Sequence, residues 1–283
     1  MREGRGVPRL PRPLVLLLRL AALLLATSVV TFALVGASPV DPVKANVGQA
    51  SYAHMSAEQR AELEQYWGST TPIWQRYAHW AAGVLRGDLG ESLRFDAPVT
   101  QVVGERFANS AALMLAAWLL AGAGGLALGV AMGARRGSAF DCVARGACLL
   151  LSSTPAFWLG LVALMVFSVW LGWFPLGFSV PVGVDAAQVG WADKLRHLVL
   201  PALTIEMASA SEVFGGSVLV EQAFSYPGLG QAAVTAGLGG DAPLLVAIAL
   251  VSALVVFVGN ACADVLYGVV DPRVREGRQV RHG

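Results

Sequence analysis

Between Arg106 and Arg135 the chain runs for twenty-eight residues, Phe107 to Ala134, without a single charge. A helix needs about 20 predominantly apolar residues to cross a hydrocarbon core of ~30 Å. A helix of this length at the edge of a soluble core would show a polar face, and FANSAALMLAAWLLAGAGGLALGVAMGA shows none. The stretch is read as a membrane span. Within it Gly125, Gly129 and Gly133 recur every fourth residue and so share one helix face. Small residues at this spacing let a second helix approach closely where the hydrophobic effect does not help association, although glycine is also simply common in membrane helices.

The rest of the chain agrees with a polytopic protein. Charged residues make up only 14% of its 283 positions, against about 25% in soluble domains. Arg2, Arg5, Arg9 and Arg12 precede a twenty-three-residue apolar run, Leu14–Gly36. Val35-Gly36-Ala37 resembles a signal-peptidase site, but the apolar core of a signal peptide is about 7–15 residues, so an uncleaved first span is favoured. Arg19 lies near its inner end, where its stem can reach the headgroups. A third span is expected over about Ala147–Trp173, broken at Pro155, and a last one over Pro243–Val270. Proline is tolerated in a membrane helix because neighbours satisfy the freed carbonyl.

Residues 37–106 form a polar insertion with eight acidic and six basic side chains. Ser56 is a candidate N-cap, and Ile73, Tyr77 and Trp80 recur at helical spacing. Trp67, Trp74 and Trp80 suit either an interfacial aromatic belt or a small extramembrane core. Phe174–Arg196, rich in Gly and Pro, reads as a surface loop. The segment His197–Phe224 is ambiguous, because Glu206 and Glu212 sit inside it. Each would cost roughly 2.5–3.5 kcal/mol near the centre of a lone span, so a re-entrant or bundle-buried helix fits better.

Charge asymmetry orients the chain. Short loops rich in Lys and Arg stay in the cytoplasm. The N-terminus, Arg135–Arg145 with three arginines and the tail from Asp271 with four are basic, hence inside. The 37–106 insertion and residues 174–242, the latter with six acidic and two basic residues, are hence outside. The expected architecture is an all-α, polytopic membrane protein of about four to five spans. Its parts are a tail and first helix (1–36), an extracytoplasmic helical insertion (37–106), a transmembrane domain (107–271) and a cytoplasmic tail (272–283).

No P-loop, HExxH, GxSxG or GxGxxG motif occurs, and Cys142, Cys148 and Cys262 lack metal-ligand spacing. Neither an enzyme nor a cofactor is indicated. Intramembrane polar groups are functional candidates by default. Asn260 and Asp264, one turn apart in the last span, qualify, with a simple interhelical hydrogen bond as the alternative. Glu206 and Glu212, six residues apart, fall on largely opposed faces and do not suggest a joint cation site.

Several strings are specific enough to carry a resemblance. They are Thr31-Phe-Ala-Leu, Ser38-Pro-Val-Asp-Pro, Leu85-Arg-Gly-Asp-Leu-Gly-Glu-Ser-Leu, Pro155-Ala-Phe-Trp-Leu-Gly and Leu171-Gly-Trp-Phe-Pro. Then follow His197-Leu-Val-Leu-Pro-Ala-Leu-Thr, Gly216-Ser-Val-Leu-Val-Glu, Phe224-Ser-Tyr-Pro-Gly-Leu-Gly and Tyr267-Gly-Val-Val-Asp-Pro-Arg. In this order they resemble the inner-membrane permeases of ABC importers for oligopeptides, dipeptides and nickel. The resemblance implies a subunit that pairs with a second permease, two cytoplasmic ATPases and an extracytoplasmic solute-binding protein in the lipid bilayer, with no nucleic acid involved. ATP hydrolysis would reside in the ATPases. One departure stands out. Only Ile205–Gly215 separates the Leu-Pro-Ala-Leu-Thr string from Gly216-Ser-Val-Leu, where the family carries an E-A-A type coupling loop, and that motif occurs nowhere. The family tends to repeat the Leu-Pro-Ala-Leu-Thr string on either side of the loop. The single copy here implies an excised segment, two spans fewer than the family's six, and raises the alternative of a coupling-defective or remnant permease serving only as an assembly partner. An unrelated channel or secondary transporter has less support, because no inverted internal repeat is found.

Overall fold

The computed structural model describes residues 11–66, 71–181, 188–207 and 213–270. Two compact units organise the chain, residues 1–99 with 237–283, and residues 100–236.

In the first unit, α1 (Arg12–Ala37) and α12 (Ala242–Val270) are long apolar helices. Phe32, close to the end of α1, packs on Ala242 and Val246, close to the start of α12. The two helices therefore run antiparallel. Between them in sequence lie short polar helices, α2 (Pro42–Val47), α3 (Gln49–His54), α4 (Ala57–Tyr66) and α5 (Ile73–Val84), and the two-residue strands β1 (Glu91–Ser92) and β2 (Ala97–Pro98). The expected start of α4 is real. Ser56 Oγ accepts from Gln59 N–H at 3.2 Å while Gln59 Oε1 accepts from Ser56 N–H at 3.0 Å, a reciprocal cap that satisfies two donors of the first turn.

Ile73, Tyr77 and Trp80, one stripe of α5, pack on Phe32. The Phe32 ring lies 5.1 Å from Tyr77 and 5.3 Å from Trp80. At Gly36 a Cβ would stand only 2.7 Å from Ile73 Cγ1, so glycine lets α5 sit directly on α1. The tryptophans divide: Trp80 is part of this core, Trp74 is exposed, and Trp67 lies outside the described residues.

The second unit holds most of α6 (Val99–Ala134), α7 (Ala139–Ser152), α8 (Ala156–Ala163), α9 (Trp191–Met207), α10 (Val213–Ala223) and most of α11 (Leu229–Gly239). Two points differ from expectation. The central span begins at Val99, so residues 99–106, placed in the insertion, are its first turns. The third apolar segment is not one straight helix. It starts at Ala139, capped by Ser138 Oγ on Asp141 N–H at 3.2 Å, and bends by 111° between Ala139–Ser152 and Ala156–Trp170. Pro155 supplies the break, because it has no N–H to continue the ladder of α7. Residues Leu164–Trp170 then widen into a π-helical segment, which closes with Leu171 N–H on Val166 C=O at 3.0 Å.

Within His197–Phe224, the segment read as fitting a re-entrant or bundle-buried helix better than a lone span, the described residues form the end of α9 and all of α10, and residues 208–212 lie outside the description. Among the described residues, three helices are long and apolar enough to cross a membrane, or four if the bent pair is one span. The protein is a polytopic, all-α membrane protein.

The core of this unit gathers residues from several of the strings quoted above. Leu113 and Ala117 of α6, Ala156 of α8, Leu200 and Ala202 of α9, and Val220, Phe224 and Tyr226 are all buried together. Gly160 completes the fit. A Cβ there would meet Phe224 Cε2 at 3.1 Å and Thr204 Cγ2 at 3.3 Å.

Candidate functional site

The most organised polar constellation of the second unit surrounds Glu221, near the end of α10. The chain leaves this helix through Ser225, a non-glycine residue at φ 48°, and turns through Tyr226-Pro-Gly-Leu-Gly into α11. Such a turn leaves the first N–H groups of α11 without intrahelical acceptors. The Glu221 carboxylate, only 3% exposed, supplies one acceptor to Gln231 N–H at 3.0 Å. Its other oxygen accepts from Ser110 Oγ of α6 at 2.7 Å, and Ser110 Oγ in turn accepts from Leu229 N–H at 2.7 Å. Asn109 Nδ2 donates to Pro227 C=O at 2.9 Å, and Arg106 Nη1 donates to Gln231 Oε1 at 2.8 Å. Two turns of α6 thus read out the turn between α10 and α11.

Burial pushes the Glu221 carboxyl above its usual value, opposed by the Ser110 hydroxyl, the Gln231 and Gly230 N–H groups and the Arg106 charge. Burial, then Glu221, pushes the Tyr226 phenol up to about 12. The glycines of the turn are sterically required. A Cβ on Gly228 would run into the Glu221 carboxylate, and one on Gly230 would stand 2.7 Å from Val218 Cγ2.

The first unit contains a parallel arrangement around Asp241, the residue before α12, which is fully buried. Its Oδ1 caps Leu244 N–H at 3.2 Å. Its Oδ2 accepts from Ser92 Oγ at 2.6 Å and Arg94 N–H at 3.2 Å. Ser92 Oγ also accepts from Phe95 N–H at 3.2 Å, and Asn46 Nδ2 donates to Gly239 C=O at 2.8 Å. The Leu-Gly-Glu-Ser-Leu string therefore fastens the start of the last long helix. Burial raises the Asp241 carboxyl, with the Ser92 and backbone donors opposing.

The residues singled out from the sequence are not brought together. Gly125, Gly129 and Gly133 are exposed, and a Cβ at any of them would meet nothing within 4 Å. Asn260 is exposed on α12 and has no hydrogen-bond partner among the described residues. Glu206 and Asp264 lie on α9 and α12, their side chains outside the description, and Glu212 lies outside the described residues. Among the described residues no group of three His, Cys, Asp or Glu side chains is placed to hold a metal. Neither Glu221 nor Asp241 was singled out from the sequence. The signal that marks them is position: each stands beside a Pro or Gly turn that opens a helix needing acceptors.

These helices and their two buried carboxylate clasps define a helical membrane protein whose extramembrane turns are fastened to its long helices. Comparison with known proteins adds a particular likeness. Residues 182–276 match the family described as binding-protein-dependent transport system inner membrane component. Over 89% of its length the chain is 28% identical to the oligopeptide transport system permease protein AppB of Bacillus subtilis, covering 95% of that protein. It is 28% identical to the dipeptide transport system permease protein DppB of Escherichia coli, over 88% of this chain and 94% of that one. To the di/tripeptide permease DppB of Pseudomonas aeruginosa it is 29% identical, over 89% and 94%. The chain is thus similar along most of its length to permease proteins named for oligopeptide and dipeptide transport systems.

Proposed function

We propose that this chain is a transmembrane permease subunit of an ATP-driven importer, forming with a second permease the path for short peptides delivered by an extracytoplasmic binding protein. The observation that carries this reading is similarity along nearly the whole chain to permeases named for peptides; none of these names speaks of nickel. Two separate cytoplasmic ATPases would supply the energy. The antiparallel pairing of α1 with α12 supports both termini lying on one side, and the basic ends make that side the cytoplasm. In a cysteine-free background, Ser51→Cys and Gln188→Cys should both react with a membrane-impermeant maleimide in intact cells. The test of function is uptake of a labelled dipeptide by cells with and without the gene. Unchanged uptake, in cells whose other peptide importers are deleted, refutes it.

A second reading concerns coupling. The match to the Bacillus protein extends over 309 aligned positions, more than the 283 residues of this chain, so it includes positions where the relative has residues and this chain none. Such a shortfall is what loss of the coupling loop, read near 204–215 from the single Leu-Pro-Ala-Leu-Thr string, would produce. An ATPase shifts a permease only through contacts that differ between its nucleotide states. A chain without that loop serves as an assembly partner, and transport leans on the companion permease. Substrate-stimulated ATP turnover that survives deletion of the companion's coupling helix would overturn this reading.

A further inference from the structure

One open groove of the first unit, about 580 Å³ in volume, is bounded by the end of α1, the start of α5 and the start of α12. Its lining is divided by chemistry. Leu34, Val35, Ile73 and Leu245 form an apolar side, and Thr71, Arg76, Asp41 and Glu64 a polar one. The apolar side continues out of the groove: Leu34 and Val30, four residues apart and so on one face of α1, are 66% and 55% exposed.

The packing of α5 sets the level of this groove. Ile73 rests at Gly36, and Tyr77 Oη lies 3.1 Å from Ser28 Oγ. Ser28 stands ~12 Å before Gly36 along the axis at 1.5 Å per residue. Helix α5 therefore runs back along the last turns of α1, which ends at Ala37. These turns are where an apolar helix leaves the hydrocarbon for the headgroups. Trp74, 59% exposed, presents an amphipathic ring at the same level, as tryptophans at a membrane interface do.

Arg76 lies between Ile73 and Tyr77 and is half-buried. Among the described residues its guanidinium makes no hydrogen bond and no ion pair, and the Thr71 hydroxyl has no partner. Asp241, the one charge that supports Arg76 through space, is already occupied by Ser92, Arg94 and Leu244. A partly desolvated cation without a partner is costly. A guanidinium is a planar fork of donors that matches phosphate oxygens. The acidic members of the groove are engaged differently. Asp41 pairs with Lys44 at 3.0 Å. Glu64 accepts from Tyr52 Oη at 2.8 Å, and a carboxylate has acceptor positions for a further donor.

We propose that this groove holds one phospholipid of the phosphatidylethanolamine type. Its phosphodiester sits on Arg76 and Thr71, its ammonium points toward Glu64, and an acyl chain runs down Leu34 and Val30. An unpartnered cation at headgroup level, beside an apolar strip that leads into the hydrocarbon, fits a lipid better than a soluble solute, which has no use for the strip. The site does not rest on the importer reading.

The experiment is native mass spectrometry of the full-length chain, purified in a mild detergent, stripped of lipid and titrated with phosphatidylethanolamine. One lipid should bind ahead of the rest, about tenfold tighter than diacylglycerol with the same chains, which lacks the phosphate. Phosphatidylglycerol, without an ammonium, should bind less tightly than phosphatidylethanolamine. Arg76→Gln should lower phosphatidylethanolamine to the level of diacylglycerol, with Arg76→Lys intermediate. Glu64→Gln should abolish the preference over phosphatidylglycerol. The lipid comparisons are made on the wild-type chain, so a folding defect in a variant does not blunt the test. Equal binding of phosphatidylethanolamine and diacylglycerol, or tighter binding of phosphatidylglycerol, overturns the proposal. So does displacement of the lipid by an equal concentration of glycerophosphoethanolamine, which carries no acyl chains and would mark a soluble-solute site. A ladder of equivalent lipids that Arg76→Gln leaves unchanged would show annular lipid only, and overturns it too.

Discussion

Replacing Glu221 by Ala tests whether the turn between α10 and α11 is held by its carboxylate. The wild-type side chain takes two donors, Ser110 Oγ at 2.7 Å and Gln231 N–H at 3.0 Å, at 3% exposure. Stranding a buried donor costs about 1–3 kcal/mol. The Ser110 hydroxyl can rotate toward another acceptor, whereas the Gln231 amide cannot, so the upper end of a doubled value is not reached. A destabilisation of about 2–5 kcal/mol is expected, in the range found when one partner of a buried polar pair is removed. Glu221→Gln keeps one acceptor but turns an NH₂ toward a donor, and should cost about half as much. The assay is denaturant unfolding of the full chain in detergent, followed by fluorescence of its eight tryptophans. Ser110→Ala and the double variant complete a cycle, and groups in direct contact should show a coupling of about 0.5–3 kcal/mol. A loss below about 0.5 kcal/mol for Glu221→Ala, with no coupling to Ser110, would refute the idea that this carboxylate organises the turn.

The same residue sets a pH dependence. Burial raises the Glu221 carboxyl above 4.5 in the folded state, so the protonated form is the one that folding favours. Its contribution is complete below that value and is lost as pH rises through the folded pKa; the stability difference between wild type and Glu221→Gln should shrink with rising pH, and a difference that grows would contradict the burial argument. Ser92→Ala removes the shortest contact to Asp241 and should cost about 1–3 kcal/mol, with faster amide exchange at the start of α12 as its local signature; unchanged exchange there would show that Ser92 does not fasten the helix. Gly129→Leu should leave the isolated chain unaffected, because nothing lies within 4 Å of its Cβ position, yet weaken assembly with a second permease by about 1–2 kcal/mol. Equal co-purification of both forms would assign that face to lipid.

Residue order alone was enough to read the long helices. A predominantly apolar run beyond twenty residues has one stable form in a bilayer, since a helix satisfies every backbone group internally. Hence Leu14–Gly36, Phe107–Ala134 and Pro243–Val270 fall within α1, α6 and α12. The capping signature at Ser56 and the stripe Ile73, Tyr77 and Trp80 were legible for the same reason, as each depends on neighbours within a turn or two. Tertiary structure decided what depends on distant partners. Pro155 announced a break but not its 111° bend, which is set by packing α8 against α9 and α10. Glu221 and Asp241 carried no local signal that singled them out in the sequence. Their acceptor roles arise because Ser110 and Ser92, 111 and 149 residues away, are folded against them.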